Sequence, residues 1–464
     1  MGLAMNFALL IYTLLIVTAS TDEIESKEIV IVVLSQEEPY NEALATSLET
    51  HIKEQAISFD KESPKIFLTH RDFFIQGSWM ITPFLKYIKQ VTASEIKWFF
   101  FCLENTMVQL EKLLNVLGNY NSSQNLWIGQ TLFDQEPSII HHFAIKKTFK
   151  YPLLASGFAM TSVLMQRLIK HIESYKLKNE FSIDMAWEFA KFVLDSSNTK
   201  LTHESKLCIV STLNCATYVR YLEACNFTIL PEHTYFAVKT CAKYHTNRIP
   251  VIKNTWAKNL INIGYFSDVA DRNLPEAYVV PNTTTGHCLK TYSILQKADH
   301  ILKTNRFKWL VISDDDTILS PVRLLRLLTC YNSDRPVAIG ERYGFRIWDL
   351  DNGFEYLTSG GGVALSASLV HRIVKVCSCP EATTPDDMYL FGNCLKILGI
   401  KPVHSPLFHQ ARPLDYAYPY LASQEPISFH GFWNIDPVDI YDEWFADTDS
   451  ILSHKERTQL HTEL

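Results

Sequence analysis

Three consecutive aspartates, Asp314, Asp315 and Asp316, follow the apolar run WLVIS (309–313) and precede a helical pattern. Carboxylates crowded at the end of a buried strand repel one another unless a cation or hydrogen-bond donors neutralise them. Hard divalent ions take oxygen ligands and keep open positions for phosphate oxygens. That chemistry suits a pyrophosphate leaving group, although an Asp run also serves as a helix N-cap or an acidic turn. A second pair, Asp386 and Asp387, stands between Pro385 and another helical pattern. Either carboxylate could take a proton from an acceptor hydroxyl, or simply complement a helix dipole. Between the clusters, Gly360, Gly361 and Gly362 would let backbone approach a ligand closely or form a plain turn. His409 and His430, in the segments PLFHQARPLDY and ISFHGFWNIDP, could each complete an oxygen-rich metal site or pack as ordinary side chains.

Positioning these groups requires buried strands with helices around them. The runs IVIVVLS (29–35), WFFFC (98–102), TYFAVKT (234–240) and WLVIS read as such strands. Helical periodicity appears in MAWEFAKFVL (185–194), VRLLRLL (322–328) and SLVHRIVKV (368–376). The alternation predicts an α/β fold, with a mostly parallel sheet covered on both faces and ligands beyond the carboxyl ends of its strands. The pattern also occurs twice. WFFFCLENT (98–106) aligns without gaps on WLVISDDDT (309–317), and the same offset carries Leu113–Leu114 onto Leu324–Leu325 and Ile128–Gly129 onto Ile339–Gly340. SGFAMTSVLMQRL from Ser156 follows SGGGVALSASLVHRI from Ser359, and SIDM, ending at Met185, falls on PDDM, ending at Met388. Leu103, Glu104 and Asn105 stand where the second half has its three aspartates, so the first half reads as a fold copy without catalysis.

A length of 464 residues, 47% hydrophobic and 20% charged, allows two or three packed domains. The net charge of -7 argues against nucleic acid as a partner. The apolar run FALLIYTLLIVT (7–18), followed by small residues, has the length of a signal-peptide core, and the terminal His461-Thr462-Glu463-Leu464 approximates an endoplasmic reticulum retrieval signal. Nine of the 10 cysteines lie between Cys208 and Cys394, without a CxxC pair, which favours lumenal disulfides over a zinc or thioredoxin-type site. Sequons at Asn121, Asn226 and Asn282 agree with a lumenal address. The expected divisions are a signal peptide (1–20), a non-catalytic domain (28–195), a linker (196–231), a catalytic domain (232–448) and a tail (449–464) whose retrieval signal would engage its receptor.

The second half carries, in order, VKTCAKYHTNRIPVIKNTW (238–256), WLVISDDDT, IGERYGF, SGGG, PDDMYLFGNCLKILGI, SPLFHQARPLDY and PISFHGFWNIDP. These segments resemble the Fringe-like β1,3-glycosyltransferases, most of all the branch that extends O-linked fucose on thrombospondin type 1 repeats. The resemblance implies two tandem GT-A-like domains, the first degenerate, and inverting transfer of glucose from UDP-glucose with Mn²⁺. It assigns the metal to Asp316 and His409, and the nucleotide sugar to Asp314 and Asp315 beside the glycine loop. Thr240 and Arg248 fall where the family grips the diphosphate, Asp268 where it reads the base, and Asp387 is the expected catalytic base with Asp386 its rival. His430 lies in a shared segment with no role assigned. N-acetylglucosamine or galactose as the donor sugar, and a non-catalytic lumenal sugar-binding protein, are the alternatives.

Overall fold

The computed structural model describes residues 23–453, apart from 74, 89–94, 145–147, 175–179, 226 and 228–230. The expected signal peptide (1–20) and the terminal HTEL lie outside the described residues. Among the described residues no helix is long and apolar enough to cross a membrane.

The chain folds around two mixed α/β sheets. In the first the strands run in the order Lys65–Leu68, Ile29–Leu34, Trp98–Leu103, Phe158–Thr161, Trp127–Gly129 and Thr202–His203. In the second the order is Ala277–Val279, Ile263–Ser267, Thr234–Lys239, Trp309–Asp314, Val363–Ser366, Ala338–Gly340 and Val403–His404. Once the extra edge strand Ala277–Val279 is set aside, the two orders coincide. In each sheet one strand, Phe158–Thr161 or Val363–Ser366, runs antiparallel to both of its neighbours, and the remaining pairs are parallel. The central strands are buried almost throughout, as their unbroken Val, Ile and Phe content requires when helices cover both faces.

Helices begin where sequence chemistry caps them. Ser320 accepts the Arg323 N–H and starts Pro321–Leu328, with Pro321 in the first turn where its missing donor costs nothing. Ser366 does the same for Ala367–Val376 by accepting from Leu369, and Asp184 caps Met185–Ser197 by accepting from Trp187.

Residues 196–231 are more than a linker. They supply Thr202–His203 to the first sheet, and Thr217–Val219 pairs with Thr106–Val108. The Cys208–Cys215 disulfide closes a small loop within them, and Cys225–Cys330 ties them to the residues just beyond Pro321–Leu328. Two further disulfides, Cys288–Cys379 and Cys377–Cys394, brace the second half, while Cys102 and Cys241 are free. The halves also share strands: Phe181–Ser182 of the first pairs antiparallel with Arg342–Phe345 of the second, which pairs in turn with Phe354–Leu357.

Candidate active site

The carboxyl ends of Thr234–Lys239 and Trp309–Asp314 lie side by side, with Lys239 in register with Asp314. Lys239 is buried, and its Nζ stands 2.9 Å from Asp314 Oδ1 and 2.7 Å from Asp386 Oδ2. A single ammonium therefore joins the aspartate triplet to the acidic pair, although they lie far apart in sequence. Burial works against the Lys239 charge, but Asp314 and Asp386 more than compensate and hold the ammonium protonated.

Thr317 fixes the turn that carries the triplet: its hydroxyl accepts the Asp314 N–H at 3.0 Å and donates to the Gly360 carbonyl at 2.8 Å. Asp315 points inward, accepting from the Thr240 hydroxyl at 2.7 Å and the Arg248 guanidinium at 2.6 Å. Its pKa is raised by burial despite those two donors. Asp316 lies 3.0 Å from Arg248 and 3.2 Å from His430 Nε2. Burial alone would raise Asp316; the hydrogen bond and charge of His430, with Arg248, outweigh it and leave the carboxyl below its ordinary range. Burial likewise works against the His430 cation, but Asp316 leads the groups that raise its pKa.

His430 arrives on Ser428–His430, a short strand paired antiparallel to Thr317–Leu319 with His430 opposite Thr317. Its Nδ1 is 3.0 Å from the Gln410 carbonyl, which can only accept, so Nδ1 carries a proton. Nε2 is then the atom turned toward Asp316 and, at 3.9 Å, Asp314. Ligand atoms of Asp314, Asp316 and His430 lie within 4.8 Å of one another. Two carboxylates and an imidazole whose tautomer is set by a backbone carbonyl form a donor set that fits a divalent cation.

His409 is not brought to the carboxylates. It is wholly buried, stacked on Phe429 at 5.2 Å and packed against Tyr416 at 4.7 Å, and burial pushes its pKa down to about 3. The expectation that it would serve a metal with Asp316 is corrected: of the two histidines, only His430 sits on the strand that pairs beside the triplet. The glycine run serves the same geometry. A Cβ on Gly360 would meet the His430 ring and Gln410 at 2.7 Å, and Gly361 donates its N–H to the Gln410 side chain. Gly362 has φ +91, a conformation side chains resist.

The acidic pair divides in character. Asp386 accepts from Lys239, from the Thr291 hydroxyl at 2.6 Å and from the Asp387 N–H at 3.0 Å. Burial would raise its pKa, but Lys239 leads the groups that lower it. Asp387 accepts the Met388 N–H at 2.7 Å, and burial together with the neighbouring Asp386 charge raises it to about 7. Asp268, at the end of Ile263–Ser267, accepts the Ala242 N–H at 2.8 Å, and so closes the loop that follows Thr240. Sequence reasoning gave no role to Lys239, Thr291 or Lys290, whose buried ammonium donates to the Thr240 carbonyl at 2.7 Å. For Lys239 a signal existed, a cation ending an otherwise buried strand.

A Fringe-like family model matches residues 229–451, which enclose both acidic clusters. A beta-1,3-glucosyltransferase of Mus musculus is 40% identical over 92% of this chain and 88% of its own length. The Homo sapiens beta-1,3-glucosyltransferase is 39% identical over 94% of this chain and 88% of its own. A manic fringe beta-1,3-N-acetylglucosaminyltransferase of Danio rerio aligns over 38% of the chain at 29% identity, covering 55% of its own length. With that identity across nearly its whole length and two acidic clusters joined in one site, the chain is a glycosyltransferase of the Fringe-like family.

Proposed function

We propose that the second half transfers glucose from UDP-glucose in β1,3 linkage to O-linked fucose on thrombospondin type 1 repeats, with inversion. The observation that carries this reading is the bridge of Lys239 between Asp314 and Asp386, which sets a cation-binding cluster and a basic carboxylate in one crevice. Asp314, Asp316 and His430 would hold the divalent ion, Mn²⁺ by family resemblance. When bound, that ion supplies positive charge to the departing diphosphate.

The chain's own groups account for the rest. Asp387 takes the proton of the fucose 3-hydroxyl as its oxygen bonds to the anomeric carbon and the bond from that carbon to the diphosphate oxygen breaks. Asp386, saturated by Lys239 and Thr291, keeps its charge; burial together with that charge sets the Asp387 pKa at about 7, where a base works best at physiological pH. Arg248, now paired with Asp315 and Asp316 and lying 3.7 Å over the Tyr244 ring, is placed to turn to the diphosphate. Asp268 is kept as the candidate for the uracil and ribose side.

The first half (28–195) is read as a degenerate GT-A-like domain, the second (232–448) as the catalytic one. The four disulfides, the sequons and the terminal residues support the lumen of the endoplasmic reticulum as the address, with HTEL (461–464) as the retrieval signal.

The test is transfer by purified protein offered UDP-glucose, UDP-N-acetylglucosamine and UDP-galactose, with an O-fucosylated repeat as acceptor and Mn²⁺ or a chelator. Product from UDP-glucose alone, lost with chelator and in Asp316→Ala, is expected. Product from another donor only, or undiminished transfer by Asp316→Ala, refutes the assignment.

A further inference from the structure

The carboxyl edge of the first sheet borders a cavity of about 750 Å³, closed on its far side by the second half. Strand register equates Leu34 with Lys239 and Leu103 with Asp314, and the SIDM and PDDM segments equate Ile183 with Asp386. The three charged partners of the active site have thus been exchanged together for three aliphatic ones, and Leu34, Leu103 and Ile183 all line the cavity. Exchanging all three removes the charges without leaving one of them unpaired, and the crevice stays open.

Polar groups remain on its walls. Glu104, at the place of Asp315, still receives two donors, the Asn41 amide and the Gln36 N–H. Burial raises Glu104 to about 7, so its carboxyl can donate or accept near neutrality. Arg342 reaches in from the second half with its side chain 10% exposed and its guanidinium 4.7 Å over the Trp79 ring. Its terminal nitrogen also lies 3.4 Å from Gln36 Oε1 and 3.6 Å from Glu355, while Arg342 Nε and Trp79 Nε1 are buried without a partner; both residues line the cavity. A nearly buried guanidinium and a carboxyl that can donate or accept, beside open volume, suit a ligand rich in hydroxyls, and the Trp79 ring suits one with an apolar face. Among the described residues no metal-capable cluster lies here, which sets the cavity apart from the diphosphate crevice of the second half.

We propose that this cavity is a second, non-catalytic carbohydrate site, taking uncharged sugar rings against Trp79, with their oxygens on Arg342 and Glu104. The proposal stands apart from the transfer reading, since it uses none of the transfer residues.

The test is ligand-observed saturation-transfer NMR on the full chain, in chelator and without nucleotide, with L-fucose, D-glucose and glucosyl-β1,3-fucose as probes. At least one probe should bind wild type and Asp316→Ala alike. Its binding should weaken by about tenfold or more in Asn105→Trp, which intrudes on the cavity beside Glu104, and measurably in Trp79→Phe, which removes only the indole N–H and part of the ring. Thermal melts establish that each variant is folded; if Asn105→Trp is not, Trp79→Phe decides. No saturation transfer to any probe, binding lost in Asp316→Ala or displaced by UDP with Mn²⁺, or unchanged binding in the folded cavity variants would each overturn the proposal.

Discussion

Lys239, Thr291 and the following peptide N–H together occupy the Asp386 carboxylate, while its neighbour Asp387 receives one backbone bond and sits close to neutral pH. That contrast predicts which of them titrates in catalysis. A base works only when deprotonated, so transfer should fall as pH drops through the Asp387 pKa. The limb should lie at or somewhat below pH 7, because a bound cation nearby favours the carboxylate. Asp387→Asn should lose about 10²- to 10⁴-fold in rate together with that limb, which a pH–rate profile checks. The histidines offer a second comparison. His409→Phe should keep transfer close to wild type, since the ring stacks on Phe429 and its polar contact is a single long hydrogen bond, 3.4 Å to Gln424. His430→Gln should lose on the order of a hundredfold, with weakened Mn²⁺ binding measured by calorimetry. Residue type alone offered both imidazoles equally and the family resemblance favoured His409, whereas the pairing of Ser428–His430 with Thr317–Leu319 is what sets His430 beside the carboxylates.

At the scale of elements, the strands from Ile29, Trp98, Thr234 and Trp309 and the helices from Met185, Pro321 and Ala367 were legible, because each has a long apolar run or a clear period and a capping residue. Short strands such as Thr202–His203 and Thr217–Val219 were not, since pairing partners rather than local composition create them. The charged bridge was hidden for a related reason: Lys239, Asp314 and Asp386 meet only through register and a loop return. Their energetics can be examined by borrowing from the first half. Lys239→Leu alone should leave the buried Asp386 and the half-buried Asp314 without their shared ammonium and destabilise the fold by about 3 kcal/mol. Adding Asp314→Leu and Asp386→Ile rebuilds the aliphatic set of Leu34, Leu103 and Ile183, and should recover much of that stability while abolishing transfer. Denaturant melts of the single and triple variants measure the difference; a triple variant no more stable than Lys239→Leu refutes the equivalence.

Over the whole molecule, four sequence blocks recur in order, and the two sheets share one strand order apart from the extra edge strand of the second. How the halves meet was not readable, because the contacts come from positions with no pattern: Gln36 donates to the His404 carbonyl at 3.0 Å, and Lys401 pairs with Glu37 at 2.7 Å. The hairpin of Arg342–Phe345 and Phe354–Leu357 owes its third strand, Phe181–Ser182, to the other half. An evolutionary consequence follows for enzymes built on the second half without the first. Without a donor for that strand, each must blunt the bare hairpin edge by its own means, with a proline, an inward charge or a covering loop. A shortened homologue that carries the hairpin with none of these should self-associate through it.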